Sequence, residues 1–181
     1  QKSIEELLVS PMPIYLIIIG FVVGGVARGI IVGLLVMITA LFFTSLEVQN
    51  IPLTLLIVIL TATLFSLAGM INAIFANSFD DISIVPTFVL TPLIYLGGVF
   101  YSIELLSDFW QGVSKINPIL YMVNSFRYGM IGISDISVDY AILMICLFIL
   151  IFSIFVYVLL KRGIGIRTCL LYTSPSPRDL L

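Results

Sequence analysis

A chain of 181 residues that is 61% hydrophobic and only 10% charged, with a mean hydropathy of +1.24, cannot coat a globular surface with polar groups; soluble domains are roughly 45–50% apolar and about 25% charged. The net charge of −2 and the scattered placement of eight Lys and Arg exclude a nucleic-acid-binding face. The lack of any histidine excludes His-based acid–base catalysis, His metal ligation and His proton relays.

The chain opens without Met and without a signal-peptide pattern, so it reads as a fragment whose N-terminal part is missing. Gln1–Met12 has Ile4, Leu7 and Leu8 on one helical face, with Lys2, Glu5 and Glu6 mostly elsewhere, and ends at Pro11 and Pro13. It is too short and too charged to span a bilayer. It is expected to lie on the membrane surface or to dock on a partner.

Four long apolar stretches follow: Pro13–Leu46, Ile51–Ala76, Ile82–Tyr101 and Tyr140–Leu160. Arg28 is the only ionised side chain inside them. A hydrocarbon core about 30 Å thick needs roughly 20 apolar helical residues. The expected fold is therefore all-α and polytopic, with four transmembrane helices. The first stretch exceeds one crossing, reaching roughly 50 Å as a helix. Gly25, Gly29 and Gly33 recur every four residues and Gly20 pairs with Gly24, a spacing that lets helix backbones approach closely. Arg28 has two readings: contact with an anionic headgroup or partner acid inside the bundle, or a position near the cytoplasmic interface.

The second stretch starts at Pro52, a good first helical position. Asn72 is expected to hydrogen-bond within the bundle, for packing or along a substrate path, because an unpaired amide in hydrocarbon is costly. Pro86 and Pro92 predict a kink in the third stretch, either a hinge or a static bend. Tyr95, Phe100 and Tyr101 line an amphipathic path or belong to an aromatic belt.

Ser102–Asp139 alternates apolar and polar residues without a full span. Ile103, Leu106, Phe109, Trp110 and Val113 share one helical face, and Asn117-Pro118 reads as N-cap and first-turn proline. Ile119, Met122, Val123, Phe126 and Met130 then form an apolar stripe; Tyr121, Asn124 and Tyr128 form another beside Arg127, with Gly129 and Gly132 at the end. These are two short interfacial or re-entrant helices, with Trp110 and the tyrosines at headgroup level. Arg127 either binds an anionic group at the exit or pairs with Asp135, Asp139 or lipid phosphate. Cys146, inside the fourth stretch, reads as a small packing residue, and with Cys169 it makes no disulfide framework or metal site.

Lys161, Arg162 and Arg167 mark the cytoplasmic side. Gln1–Met12 is then cytoplasmic as well, while the turn before Ile51 and Ser102–Asp139 are external. Thr168–Leu181 is Ser/Pro-rich, without apolar period, and is expected to be a non-native tail.

The segments IEELLVSPMP (Ile4–Pro13), GGVARG (Gly24–Gly29), FDDISIVPTFVLTPLIYLGGVFYS (Phe79–Ser102) and NPILYMVNSFRYGMIG (Asn117–Gly132) occur in an order and spacing that resemble the ABC-2 type family of ABC transporter permeases. The resemblance covers about residues 1–167 and is nearest to bacterial inner-membrane permeases of the drug and lipo-oligosaccharide export type. It implies the last four helices of a six-helix permease working as a dimer with ATPase subunits. It makes Gln1–Met12 a cytoplasmic coupling helix, with Glu5, Glu6, Leu7 and Leu8 engaging the ATPase. Arg28, Asn72, Pro86, Pro92, Tyr95, Asn124 and Arg127 are the candidates for a substrate path or its gating.

No GxxxxGK[ST] phosphate loop is present, so ATP is expected to be bound and hydrolysed by a separate subunit, with no cofactor or metal on this chain. The expected function is the transmembrane subunit of an exporter for an amphipathic drug, lipid or lipid-linked glycan. A secondary transporter or channel would want intramembrane acids or histidines and inverted repeats, which the sequence lacks. A non-transporting assembly subunit is the remaining alternative. An intramembrane enzyme would want a GxSxG, an HExxH or paired intramembrane Asp, and none is present.

Overall fold

The computed structural model describes residues 13–44, 48–76, 79–100 and 105–162. Gln1–Met12 with Glu5, Glu6, Leu7 and Leu8, the Tyr101–Glu104 segment, Arg167 and the Thr168–Leu181 tail lie outside them.

The described residues are helical: α1 (Ile14–Leu41), α2 (Ile51–Phe75), α3 (Phe79–Ile84), a π-helical segment (Val85–Leu90), α4 (Thr91–Leu96), α5 (Asp108–Ser114), α6 (Pro118–Ile131) and α7 (Val138–Lys161). Among them, three helices, α1, α2 and α7, are long and apolar enough to cross a membrane. The third sequence stretch is helical but shorter, with its apolar run at Asp81–Leu96. The four predicted spans are thus three long helices and one short, interrupted one. The interruption has a local cause. Pro92 carries no N–H and its ring crowds the carbonyl four residues back, so the regular ladder fails there. The backbone widens into the π segment that Pro86 and Pro92 bracket, and the Thr91 hydroxyl donates to the Pro86 carbonyl at 3.4 Å.

Polar groups fix the ends. Asn50 caps α2, its side chain accepting from the Leu53 N–H at 3.3 Å, with Pro52 in the first turn. Asn117 caps α6 by accepting from the Ile119 N–H at 3.0 Å, and Pro118 follows at the first helical position. Gly132 ends α6 at φ +80°, where any side chain is strained, and its N–H donates to the Tyr128 carbonyl at 2.8 Å.

α2 is the central helix, packed on α1 and on α7. α1 runs antiparallel to α2, with Gly25 against Ser66 and Gly29 against Ala62. At one end, Ile14 and Ile74 pack on the buried cluster Leu67, Val156 and Leu160. The first residues of α1 and the last of α7 therefore share that end. The opposite end holds the Gln49–Asn50 turn, whose N–H groups donate to the Met130 and Gly129 carbonyls at 3.4 and 3.0 Å.

α6 packs lengthwise on α2. Gly129 meets Thr54 near the start of α2, while Tyr121 and Met122 share a buried cluster with Leu64, Ala141 and Ile145. From Thr54 to Leu64 is roughly 15 Å of helix. α6 therefore runs along α2 to about its middle, with its N-terminus nearest that middle. Its buried side mixes the two sequence stripes, taking Ile119 and Met122 from one and Tyr121 and Asn124 from the other. Tyr121 and Asn124 are buried against the bundle, while Phe126 is 40% exposed. Hydrogen bonding permits the burial of the polar pair: Tyr121 donates to the Lys115 carbonyl at 2.5 Å, and Asn124 bonds the Leu120 carbonyl at 3.0 Å and the Asp135 N–H at 3.1 Å. A satisfied polar group is tolerated inside the bundle, and apolar side chains lose nothing by facing outward in a lipid solvent.

The outer surface fits that solvent. Val23, Ile31, Leu35 and Val36 on α1 are each at least 58% exposed. Cys146, predicted to pack, is exposed on α7 instead. Of the sequence-predicted glycine series, Gly25 and Gly29 contact α2, whereas Gly20, Gly24 and Gly33 face open space. α5 begins at Asp108, later than the apolar face from Ile103 suggests, and Phe109 and Trp110 stack edge to face at 5.5 Å on its exposed side.

Candidate functional site: a cavity beside two arginines

Three elements leave a space between them because small side chains and a tilted re-entrant helix pack there. The glycines of α1 bring it against α2 along Gly25–Gly29, and α6 leans onto α2 from the other side. The result is an open cavity of about 1230 Å³. α1 contributes Gly25, Arg28, Gly29 and Val32, which are spaced i, i+3, i+4, i+7 and so share one face. α2 contributes Val58, Thr61, Ala62, Phe65 and Ser66. α6 contributes its apolar stripe, Ile119, Met122, Val123, Phe126 and Met130, together with Arg127.

The walls are mostly apolar, and among the described residues Arg28 and Arg127 are the only charged ones lining them. Their settings differ. Arg127 is three-quarters covered, donates to the Gly98 carbonyl at 2.7 Å and pairs with Asp135 at 3.5 Å. Arg28 is exposed to the cavity and forms no ion pair among the described residues. Arg28 lies midway along α1, and its neighbour Gly29 faces Ala62 at the middle of α2. It is far from either helix end, which favours the reading inside the bundle over the interfacial one. A guanidinium at that depth costs about 2.5–3.5 kcal/mol on insertion scales, and such groups face a water-filled or protein-lined space.

A second constellation holds the end of the third helical run. The Asn117 side chain donates to the Leu93 carbonyl at 2.6 Å, and Arg127 takes the Gly98 carbonyl one turn beyond α4. Gly97 is where the run touches α6: a Cβ there would stand 2.7 Å from a methyl of Ile119. Gly98, at φ +70°, turns the backbone so that its carbonyl meets the guanidinium. One helix thus both lines the cavity and grips the end of the interrupted helix.

The remaining sequence-predicted residues fall outside the cavity lining. Asn72 donates to the Ile82 carbonyl at 2.9 Å and ties α2 to α3. Pro86 and Pro92 bracket the π segment. Tyr95 is exposed and packs on Phe100 with ring centroids 5.7 Å apart. Asn124 points into the bundle core, not the cavity. The sequence reading missed Val32, Thr61, Phe65 and Ser66 as lining residues. Their only signal was hydroxyl groups on α2 and the i+4 step from Arg28, and neither identifies a wall without the packing. No group of three or more His, Cys, Asp or Glu is placed to hold a metal among the described residues.

The ABC-2 type transporter family matches residues 1–131. The inner membrane transport permease YadH of Escherichia coli K12 is 53% identical over 168 residues, covering 93% of this chain. Nodulation protein J of Rhizobium leguminosarum bv. trifolii is 22% identical over 162 residues, and that of Neorhizobium galegae 23% over 164. The chain spans 66% of the length of the YadH permease and 62% of these nodulation proteins. No solved structure matches the chain. With apolar helices of spanning length and a family match over most of its residues, this chain belongs to the ABC-2 type transporter family.

Proposed function

We propose that this chain forms the membrane-embedded part of the permease subunit of an ATP-driven exporter. Its cargo is an amphipathic molecule such as a drug, lipid or lipid-linked glycan, moved across a bacterial inner membrane. The observation that carries the reading is the mid-depth cavity of about 1230 Å³, with apolar walls and two arginines, in a chain of this family. An amphipathic cargo needs both an apolar wall and a polar anchor at the same depth. The inner-membrane setting is supported by the 53% identity to the YadH permease.

ATP is bound by a separate ATPase subunit, since the sequence carries no phosphate loop. Glu5, Glu6, Leu7 and Leu8 on the segment before Pro11 and Pro13 engage that subunit from the cytoplasm, and a second permease copy completes the transporter. The Phe79–Leu96 run, with the residues after it, makes a fourth crossing, and its π segment is the compliant point in it. Pro13 and Lys161 lie on the cytoplasmic face, in line with Ile14 and Leu160 packing at one end of the bundle.

The complete permease, co-expressed with a candidate ABC ATPase subunit and placed in lipid nanodiscs, tests this. Glu5→Lys with Glu6→Lys is expected to leave the permease folded and to abolish permease-dependent change in ATP hydrolysis. Unaltered coupling in that variant, or no ATPase associating with the permease, contradicts the reading.

A further inference from the structure

We propose that the cavity between α1, α2 and α6 binds an anionic amphiphile, with its headgroup on Arg28 and its tail along Val32, Phe65, Val123 and Phe126. The inference deepens the transport reading above and rests on it for the claim that the bound molecule is cargo.

Charge bookkeeping within the lining comes first. Among the described residues, no acid lines the cavity, and both charged residues that do are cationic. Asp135 and the Gly98 carbonyl occupy the Arg127 guanidinium, whereas Arg28 has no ion pair among the described residues. The uncompensated charge of the site is therefore that of Arg28. Its place at the middle of both α1 and the facing α2 makes that charge costly in hydrocarbon, and a bound anion removes the cost. A guanidinium offers five donors in a planar fork that matches the two oxygens of a phosphate or carboxylate.

The walls then decide what the anion is attached to. Apart from the arginines, the groups around Arg28 are mostly apolar side chains, with Thr61 and Ser66 hydroxyls as the nearby polar ones on α2. A small hydrated anion would lose its water and find too few donors in return. An acyl or aryl tail instead replaces lipid against Val32, Phe65, Val123 and Phe126 at little cost. The volume of about 1230 Å³ exceeds the roughly 300–1,000 Å³ of sites for drug-sized ligands, so a headgroup and a chain fit together.

The test is binding to the complete permease, purified in a neutral maltoside detergent, with radiolabelled dodecyl phosphate followed by scintillation proximity. The expected result is saturable binding that Arg28→Gln weakens about tenfold or more and that Arg28→Lys largely retains. Zwitterionic dodecylphosphocholine, with the same tail, is expected to compete at least tenfold less well, and inorganic phosphate to compete hardly at all. Equal binding by wild type and Arg28→Gln, or equal competition by the zwitterion, overturns the proposal. So does the absence of binding, as when another part of the longer permease or a second copy fills the cavity. Effective competition by inorganic phosphate overturns the amphiphile in favour of a free anion. These outcomes are independent of ATP, so the transport reading stands or falls separately on its coupling experiment.

Discussion

At the scale of single residues, the close contacts of α2 are made through positions where a side chain is missing. A Cβ at Gly25 would stand 2.8 Å from the Ser66 Cβ, and one at Gly129 would run into Thr54. Gly20, one turn earlier on α1, has nothing within 4 Å. Gly25→Ala and Gly129→Ala are therefore expected to destabilise the complete permease by about 1–3 kcal/mol through forced separation of helices. Gly20→Ala is expected to be neutral or to stabilise by about 0.5–1 kcal/mol through its helix propensity. Thermal unfolding in detergent reads all three, and a common response would contradict the contact assignment. The sequence displayed five glycines at helical spacing, but spacing alone does not tell which of them has a neighbour. That depends on where α2 lies.

Arg127 belongs to the same scale. It holds two partners, the Gly98 carbonyl at 2.7 Å and Asp135 at 3.5 Å, so its loss should exceed the loss of either partner alone. Arg127→Gln is expected to cost about 1.5–3 kcal/mol, since a charge-assisted bond is lost. Asp135→Asn should cost less, because only the longer contact is weakened and the Asn124 bond to the Asp135 backbone remains. Equal unfolding midpoints for the two variants would show that the Gly98 contact contributes nothing.

At the scale of elements, long helices were legible and short ones only partly. α1, α2 and α7 follow continuous apolar runs, and their observed ends differ from the sequence boundaries by a few residues, because turn residues such as Phe42 and Phe43 are as apolar as the helix before them. The Asn117-Pro118 start and the Gly132 stop of α6 were legible because capping is local chemistry. The orientation of α6 was not. The bundle encloses Tyr121 and Asn124 of the polar stripe together with Ile119 and Met122 of the apolar one, and leaves Tyr128 and Phe126 exposed, a division that hydropathy does not dictate in a lipid solvent. The same limit hid the union of Arg28 and Arg127 in one cavity, since they are distant in sequence and joined only by packing.

The π segment gives a prediction of its own. Pro92→Ala restores an N–H and removes the ring, so the Val85–Leu96 run is free to regain a regular ladder. Hydrogen exchange of the Val89–Leu96 amides is expected to slow in that variant. Unchanged exchange would mean that Pro92 does not cause the widening.

At the scale of the whole molecule, the packing fixes which parts lie together. Ile14 and Leu160 share one end of the bundle, and Asn50, Gly129 and Gly132 share the other. In the complete permease, single cysteines at Pro13→Cys and Arg162→Cys should react with an impermeant maleimide from the same side, the cytoplasm. Ile133→Cys should react from the opposite side. Labelling of Pro13→Cys and Arg162→Cys from different sides would break the bundle described here. On the proposed reading, that shared end, with its basic Lys161 and Arg162, is the one that faces a separate ATPase.

The claim that matters most is that this cavity carries an amphiphile whose movement another subunit powers. Proteoliposomes holding the complete permease and its ATPase, with a fluorescent phosphatidic acid in the ATPase-facing leaflet, measure it through the rate at which dithionite-accessible label crosses. The account predicts crossing that requires ATP and that Arg28→Gln slows at least tenfold. Crossing at the same rate without ATP, or without the ATPase subunit, would contradict it.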